Sequence, residues 1–371
     1  MRVKSRGDKA IMDKKWKMGL VGLGGSRRSA AYMHHPQIEV VAICDQDSAV
    51  LEKAGCELGV PDSGRFERYE DFLNEDTDFV MIGTPVPSHA QLTIDALEAG
   101  KHVLCEVTAA STIEDCFRVI DAVQKTGMTY MMAENTVYFH YLRGWKRQVQ
   151  SGMLGTVFYA ECEYVHEIRD RIIDSATGKA YWRNQRPPLH YCSHSIGPIL
   201  EILDDRIVRA TGAGRSKTII PAGGDGCIDM QVALFETAKG ATIKLLRSSV
   251  APRNPGFAHF YSLYGSKGQM ESGRAGYDSD GWIYLEGSEE YANGAKSLSC
   301  KTIDPDAPAE ATKGGHGTSE YYLIRDFIDA LNRGTTPPID VFRAMEYTLP
   351  GIVAHQAVEK GGVWLDVPQV R

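Results

Sequence analysis

The sequence is short of paired cysteines, of long apolar runs and of positive charge, and each shortage removes a class of protein. Its eight cysteines, Cys44, Cys56, Cys105, Cys116, Cys162, Cys192, Cys227 and Cys300, contain no C-x-x-C pair. A thiolate zinc ribbon needs that spacing, so none is expected. Several of the cysteines lie inside apolar runs, which reads as buried reduced thiols and points to the cytoplasm. No window approaches about 18 uninterrupted apolar residues, so no membrane span is expected. Lys plus Arg number 41 against 48 Asp plus Glu, a formal charge of −7. That balance attracts neither a phosphate backbone nor anionic lipid, so nucleic-acid and membrane partners are not expected. Internal repeats are also missing. Residues 1–15 are basic and lack the apolar core of a signal peptide, and read as a mobile extension.

What remains is an ordinary globular composition, 43% apolar and 24% charged over 371 residues, enough for two domains. Apolar strands at residues 17–22, 39–44, 78–82, 102–105 and 129–132 alternate with helical patterns at 26–35, 47–58, 87–99 and 112–125. Strands separated by helices of about a dozen residues predict a parallel sheet covered on both faces, a doubly wound Rossmann domain over residues 16–135. The pattern then changes. A helix at 139–151 is followed by strand-like runs at 157–167, 206–211, 227–235, 242–246, 259–264 and 282–286 with one short helix, 196–203, among them. Consecutive strands predict an α/β domain over residues 136–371 with an open, mainly antiparallel sheet. Helices at 320–331 and 341–359 close the chain, free to pack back on the first domain, and the polar stretch 289–315 reads as a loop.

Gly22-Leu23-Gly24 falls where the first strand turns into the first helix. Glycines there permit a tight turn and let a pyrophosphate approach backbone N–H groups. The third glycine of G-x-G-x-x-G is absent, since its position is Arg27; Arg27 and Arg28 could instead face the phosphates. Asp45 ends the second strand 21 residues after Gly24, where a carboxylate accepts from an adenosine ribose and repels a 2′-phosphate. The pattern predicts NAD rather than NADP. A plain turn at Gly22 and a helix cap at Asp45 are the structural alternative.

In the second domain Tyr191 and His194 are three apart and His190 and His194 four apart, so each pair shares a face on a helix. Removing a hydride from a C–OH carbon needs a base for the hydroxyl proton, and histidine is the side chain that titrates near neutrality. His194 and Tyr191 are therefore the candidate catalytic pair. Tyr164 and His166 alternate with Val165 and point to one face of a strand, a candidate sugar-binding face or an exposed polar face of the sheet. Trp182-Arg183 offers an indole and a guanidinium suited to a sugar face and its hydroxyls. His190 and His316, the latter in Gly314-Gly315-His316-Gly317, complete the candidate substrate set. The same histidines could be hydrogen-bonded core residues, and no clear fourth ligand joins His166, His190 and His194, so no metal is assigned.

Gly22-Leu23-Gly24, Asp45, Gly83-Thr84-Pro85 with His89, and Gly100-Lys101-His102-Val103-Leu104-Cys105-Glu106 fall in the order of the glucose–fructose oxidoreductase/inositol dehydrogenase (Gfo/Idh/MocA) family, which the chain resembles over nearly its whole length. The resemblance implies a Rossmann domain and bound NAD or NADP, with Gly22, Gly24, Asp45, Thr84, Pro85, His89, Glu106 and Asn135 on the cofactor. It also implies a carbohydrate substrate and a homo-oligomer, dimer or tetramer, formed through the C-terminal sheet. Where most members have Glu-Lys-Pro, this chain has Glu106-Val107-Thr108. Many members carry Asp-x-Gly-x-x-x-His, and here His190 stands near the usual aspartate. At these places it resembles the family's NAD-dependent glycoside hydrolases of the α-N-acetylgalactosaminidase type. The matching residues are Glu106-Val107, Ala109-Ala110, Glu134-Asn135, Tyr164-Val165-His166, and Tyr191, His194, Gly197 and Pro198. That group keeps NAD bound and returns the hydride after cleavage. The resemblance thus implies a sugar oxidoreductase, a redox-neutral glycosidase working through a transient keto-sugar, or, with both usual residues gone, a non-catalytic NAD sensor.

Overall fold

A computed structural model describes residues 14–24, 34–253, 259–275 and 279–371. Residues 1–13, the greater part of the expected extension, and most of the helix expected at 26–35 fall outside these, Arg27 and Arg28 included. The chain divides into two compact units. One comprises Met1–Asn135 with Pro305–Ala344, the other Thr136–Asp304 with Met345–Arg371.

The first unit is built on six parallel strands: β1 (Trp16–Val21), β2 (Ile38–Cys44), β3 (Arg65–Phe66), β4 (Phe79–Ile82), β5 (His102–Cys105) and β6 (Tyr130–Met132). Their order is β3-β2-β1-β4-β5-β6, so the winding direction reverses beside β1. In doubly wound sheets ligands bind at that reversal, beyond the carboxyl ends of the strands. The central strands read as unbroken apolar runs because both faces are buried; every residue of β4 is buried. Local signals set the helix ends. Asp47 caps the helix Ser48–Leu58 by accepting from the Ala49 and Val50 amides, and Gly59 closes it in the left-handed region. Thr112 and Gly127 do the same for Ile113–Thr126. The helix Ser319–Arg333 belongs to this unit, its Phe327 ring lying edge-on against Phe79 with centroids 5.3 Å apart. The Met132 amide donates to the Ile339 carbonyl (3.1 Å), so the late segment also occupies the free side of β6.

The second unit holds a nine-stranded sheet. Its strands are β7 (Val157–Val165), β8 (Ile207–Ala213), β9 (Gln231–Thr237), β10 (Thr242–Ser248), β11 (His259–Gly265), β12 (Gly268–Glu271), β13 (Gly281–Leu285), β14 (Lys296–Leu298) and β15 (Leu365–Asp366). All neighbouring pairs are antiparallel except β7 with β10. The stretch expected as a loop at 289–315 contains β14. Three residues pairing at a sheet edge are too few to leave a periodic trace, which is why the sequence showed only polarity there. One side of the sheet is covered by the helix Ser193–Leu203 and by the latter part of Val341–Glu359, where Gly212 approaches Ala354 and Val358. Among the described residues no helix is long and apolar enough to cross a membrane. All eight cysteines are free thiols, and every one but Cys56 is buried.

Candidate active site

In the first unit the loops after β1, β2, β4 and β5 gather at one end of the sheet. Gly22 takes φ +82°, and a Cβ there would lie 2.7 Å from the Thr84 amide nitrogen, so only glycine lets the β1 and β4 loops pass. Beside Gly24 the space is open, with nothing within 4 Å of a Cβ. Asp45 accepts from the Leu23 amide (2.7 Å) through one oxygen and from the Asp47 amide (3.0 Å) through the other. The carboxylate therefore fastens the glycine turn to the end of β2. Each oxygen keeps a second lone pair for a hydroxyl donor. A left-handed turn, open space and an acid at the end of β2 fit a dinucleotide with a free ribose 2′-hydroxyl.

Thr84 and Ser88 share a hydroxyl hydrogen bond (2.7 Å), and Pro85 leads into the short turn Val86–Ser88. His89, expected on the cofactor, is buried. Its ring nitrogens lie 2.8 Å from the Thr108 carbonyl and 2.9 Å from the Thr84 carbonyl. It ties the β4 and β5 loops together. The Glu106 amide donates to Ile82 (2.9 Å), and Asn135 begins a short turn at the end of this unit. His316 lies in the later piece of this unit, Pro305–Ala344. Its Nδ1 is 2.8 Å from Glu320 Oε1. That bond raises its pKa, and the fields of Glu106 and Glu134 add to the rise.

In the second unit Tyr164, on β7, bonds its hydroxyl to His166 Nδ1 at 2.7 Å. His259, on β11 opposite Tyr164, stacks on the Tyr164 ring at 4.1 Å and 9°. Tyr191 ends the turn Pro188–Tyr191 and meets His194, in the first turn of Ser193–Leu203, edge-on at 5.0 Å. His194 also sits edge-on to Tyr164 at 5.6 Å. The His194 carbonyl accepts from the hydroxyls of Thr136 and Tyr261, which fixes the backbone beneath its ring. Tyr164, His166, Tyr191 and His194 thus form one cluster.

Arginines thread that cluster. Arg247, near the end of β10, is buried and donates to the carbonyls of Tyr164 and Ser248. Its guanidinium carbon lies 4.5 Å from the Tyr164 ring centre and 5.6 Å from that of Tyr191. Arg186 lies 4.1 Å over Tyr191 and 5.1 Å over Trp182, and Arg183 covers Trp182 at 4.5 Å. His259, Arg186 and Arg247 were not anticipated from sequence. His166 is pushed down to about 4 by burial and then by Arg247, Arg253 and Arg171, so its ring is neutral at pH 7. His190 turns instead to His355, edge-on at 5.2 Å. Among the described residues no three His, Cys, Asp or Glu side chains are placed to hold a metal ion.

Residues 16–134 match the oxidoreductase family with an NAD-binding Rossmann fold, and residues 225–370 match the glycosyl hydrolase 109 C-terminal domain. The first domain thus resembles that of the Gfo/Idh/MocA oxidoreductases, and the second that of the glycosyl hydrolase 109 proteins. It is an NAD-binding enzyme. Similar curated proteins include a glycosyl hydrolase family 109 protein of Shewanella pealeana, 27% identical over 92% of this chain and 82% of that one. An α-N-acetylgalactosaminidase of Shewanella oneidensis is 25% identical with the same coverage. Among solved structures, levoglucosan dehydrogenase with NADH and L-sorbose superposes with a TM-score of 0.80 at 19% identity, over 96% of this chain and all of that one. The aldose–aldose oxidoreductase of Caulobacter crescentus, complexed with glycerol, gives 0.77 at 19%, over 95% and 100%. At such identity the two structures establish the shared Gfo/Idh/MocA fold.

Two outcomes follow from these geometries. Gly22→Ala forces a side chain into left-handed backbone against Thr84, which costs about 1–2 kcal/mol from the backbone alone. The denaturation midpoint falls and NAD affinity drops with it; an unchanged midpoint and affinity would remove the packing argument. His190 is pushed down to about 3, chiefly by burial and then by His355 and Arg186. Its unfolded counterpart takes a proton near about 6.5. Between these values the unfolded chain holds more protons, so stability is lost as pH falls through that window, by up to about 1.4 kcal/mol per pH unit. His190→Asn should show a shallower acid slope in denaturant midpoints measured from pH 6.5 to 4, and equal slopes would refute the assignment.

Proposed function

We propose that this protein cleaves a glycoside without net redox change, by oxidising a sugar hydroxyl, eliminating the aglycone and restoring the hydroxyl. Bound NAD supplies the hydride acceptor and donor. The observation that carries the reading is the Tyr164–His166–Tyr191–His194 cluster, present where the lysine of Glu-Lys-Pro is replaced by Val107. His194 or Tyr191 takes the proton of the hydroxyl being oxidised. The resulting ketone acidifies the neighbouring C–H, whose proton the same cluster accepts while the C1–O bond breaks and the aglycone leaves. Water adds at C1, the proton returns to carbon, and reduction regenerates the hydroxyl. Tyr164, held by His166, orients a hydroxyl. The 109-type C-terminal domain and the curated relatives support cleavage. Net sugar dehydrogenation is the second reading, favoured by the likeness to levoglucosan dehydrogenase.

A panel of free sugars and aryl glycosides, followed for both NADH absorbance and leaving-group release, separates the two. Release without NADH accumulation, with deuterium from D2O entering the carbon beside the transient ketone, is expected. Steady NADH formation with no release would overturn cleavage in favour of dehydrogenation. His194→Ala should lower turnover by about 10²–10⁴-fold.

The reading includes a homo-oligomer in the cytoplasm, consistent with eight free thiols. The outer face of the nine-stranded sheet aligns Tyr159, Tyr264, Gln269 and Tyr284 in one cross-strand row. A dimer or tetramer is expected by light scattering, and a monomer at micromolar concentration would remove this part.

A further inference from the structure

Several arginines of this chain are matched to acids. Arg274 takes Glu163, Arg65 takes Glu52 and Asp62, Arg209 takes Glu236, and Arg169 takes Glu167. Arg186 and Arg247 break the pattern. Among the described residues neither has a carboxylate partner, and the Nε of each is buried without a hydrogen bond. The repulsion is visible in neighbouring groups. Arg186 is lowered from 12.5 to about 9, first by burial, with Arg247 and Arg183 adding to the fall against the pull of Tyr191. Three further guanidiniums, those of Arg183, Arg171 and Arg253, act on this region. A buried charge left uncompensated costs several kcal/mol. The chain has seven more acids than bases, and among the described residues none of them is set against this pair.

The pair frames Tyr191, one guanidinium at 4.1 Å from the ring centre and the other at 5.6 Å, and Tyr191 abuts His194. The excess positive charge therefore lies at the groups assigned to the sugar. We propose that the sugar carries an anionic substituent, a carboxylate or a sulfate or phosphate ester, and that Arg186 receives it. This rests on reading the Tyr191–His194 cluster as the sugar site. Arg186 keeps partial exposure and offers the fork that matches two anionic oxygens. Arg247, sealed beneath Tyr164, contributes its field.

The test uses the full chain with NAD and measures binding by calorimetry. The probes are D-glucuronate, D-galacturonate, glucose 6-phosphate and glucose 6-sulfate, each compared with its neutral parent. At least one acidic sugar should bind about ten- to hundredfold tighter than its parent, the range of one or two charge-assisted hydrogen bonds. The probe that wins tells carboxylate from ester. In Arg186→Gln the preference should collapse to below threefold. Arg247→Met, with folding of both variants checked by circular dichroism, should narrow it as well, and serves if the first does not fold. Neutral sugars binding as tightly as acidic ones, no sugar binding at all, or a preference surviving both substitutions would each overturn the proposal. Turnover of the matching aryl glycosides keeps the two readings apart. Selective binding of an acidic sugar with no turnover would leave this proposal standing and sink glycoside cleavage. Cleavage of neutral glycosides with acidic ones ignored would do the reverse.

Discussion

The second unit depends on one buried guanidinium. Arg247 bonds the carbonyls of Tyr164 and Ser248 at the point where β7 and β10 run parallel, and it lies beside the rings of both Tyr164 and Tyr191. A parallel pair in an otherwise antiparallel sheet has evenly slanted bonds and is slightly weaker per residue, so a five-donor side chain bridging its end is a local reinforcement. Because the same side chain stacks on both tyrosines, strand pairing and the placement of the phenols are one arrangement. The Arg247 charge is confined there, and its field adds to the burial that keeps His166 neutral.

Much of the first unit was legible in the sequence because each of its signals is local. Apolar strands, capping residues and closing glycines recur at short spacing, and Asp45 falls at the end of β2 as the turn chemistry requires. The Tyr164–His166 and Tyr191–His194 pairs were legible for the same reason, since separations of two and three residues fix which side chains share a face. Arg247 was not. The strand was read as ending one residue before it, and arginine is rarely buried. His259 meets Tyr164 only through the register of β11 on β7, which no local pattern encodes. That His316 returns to the first unit was not legible, because its position along the chain, after the second-unit strands, says nothing of the unit it joins.

The loops of the first unit and the aromatic cluster of the second are organised by different physics. Around Asp45 and His89 the work is done by backbone groups: amides bound to a carboxylate, carbonyls bound to an imidazole, and a glycine where no side chain fits. Such loops hold their shape through backbone groups. Around Tyr191 the work is done by side chains, rings and guanidiniums in alternation, which set polarity and charge. Differences in substrate among proteins sharing this fold are therefore expected in the second unit, with cofactor recognition left intact.

The first unit is written in two pieces, Met1–Asn135 and Pro305–Ala344, with the whole of residues 136–304 between them. Phe79 and the open side of β6 are completed by Phe327 and Ile339, which lie in the later piece. On the ribosome the parallel sheet therefore emerges long before the helix that covers it, and waits with an apolar face uncovered while the entire intervening segment is made. Domains generally fold as units during synthesis, and exposed apolar surface in the interval favours aggregation. This one cannot close its core until residues 305–344 have been made, so slow translation of the segment between its two pieces falls most heavily on it.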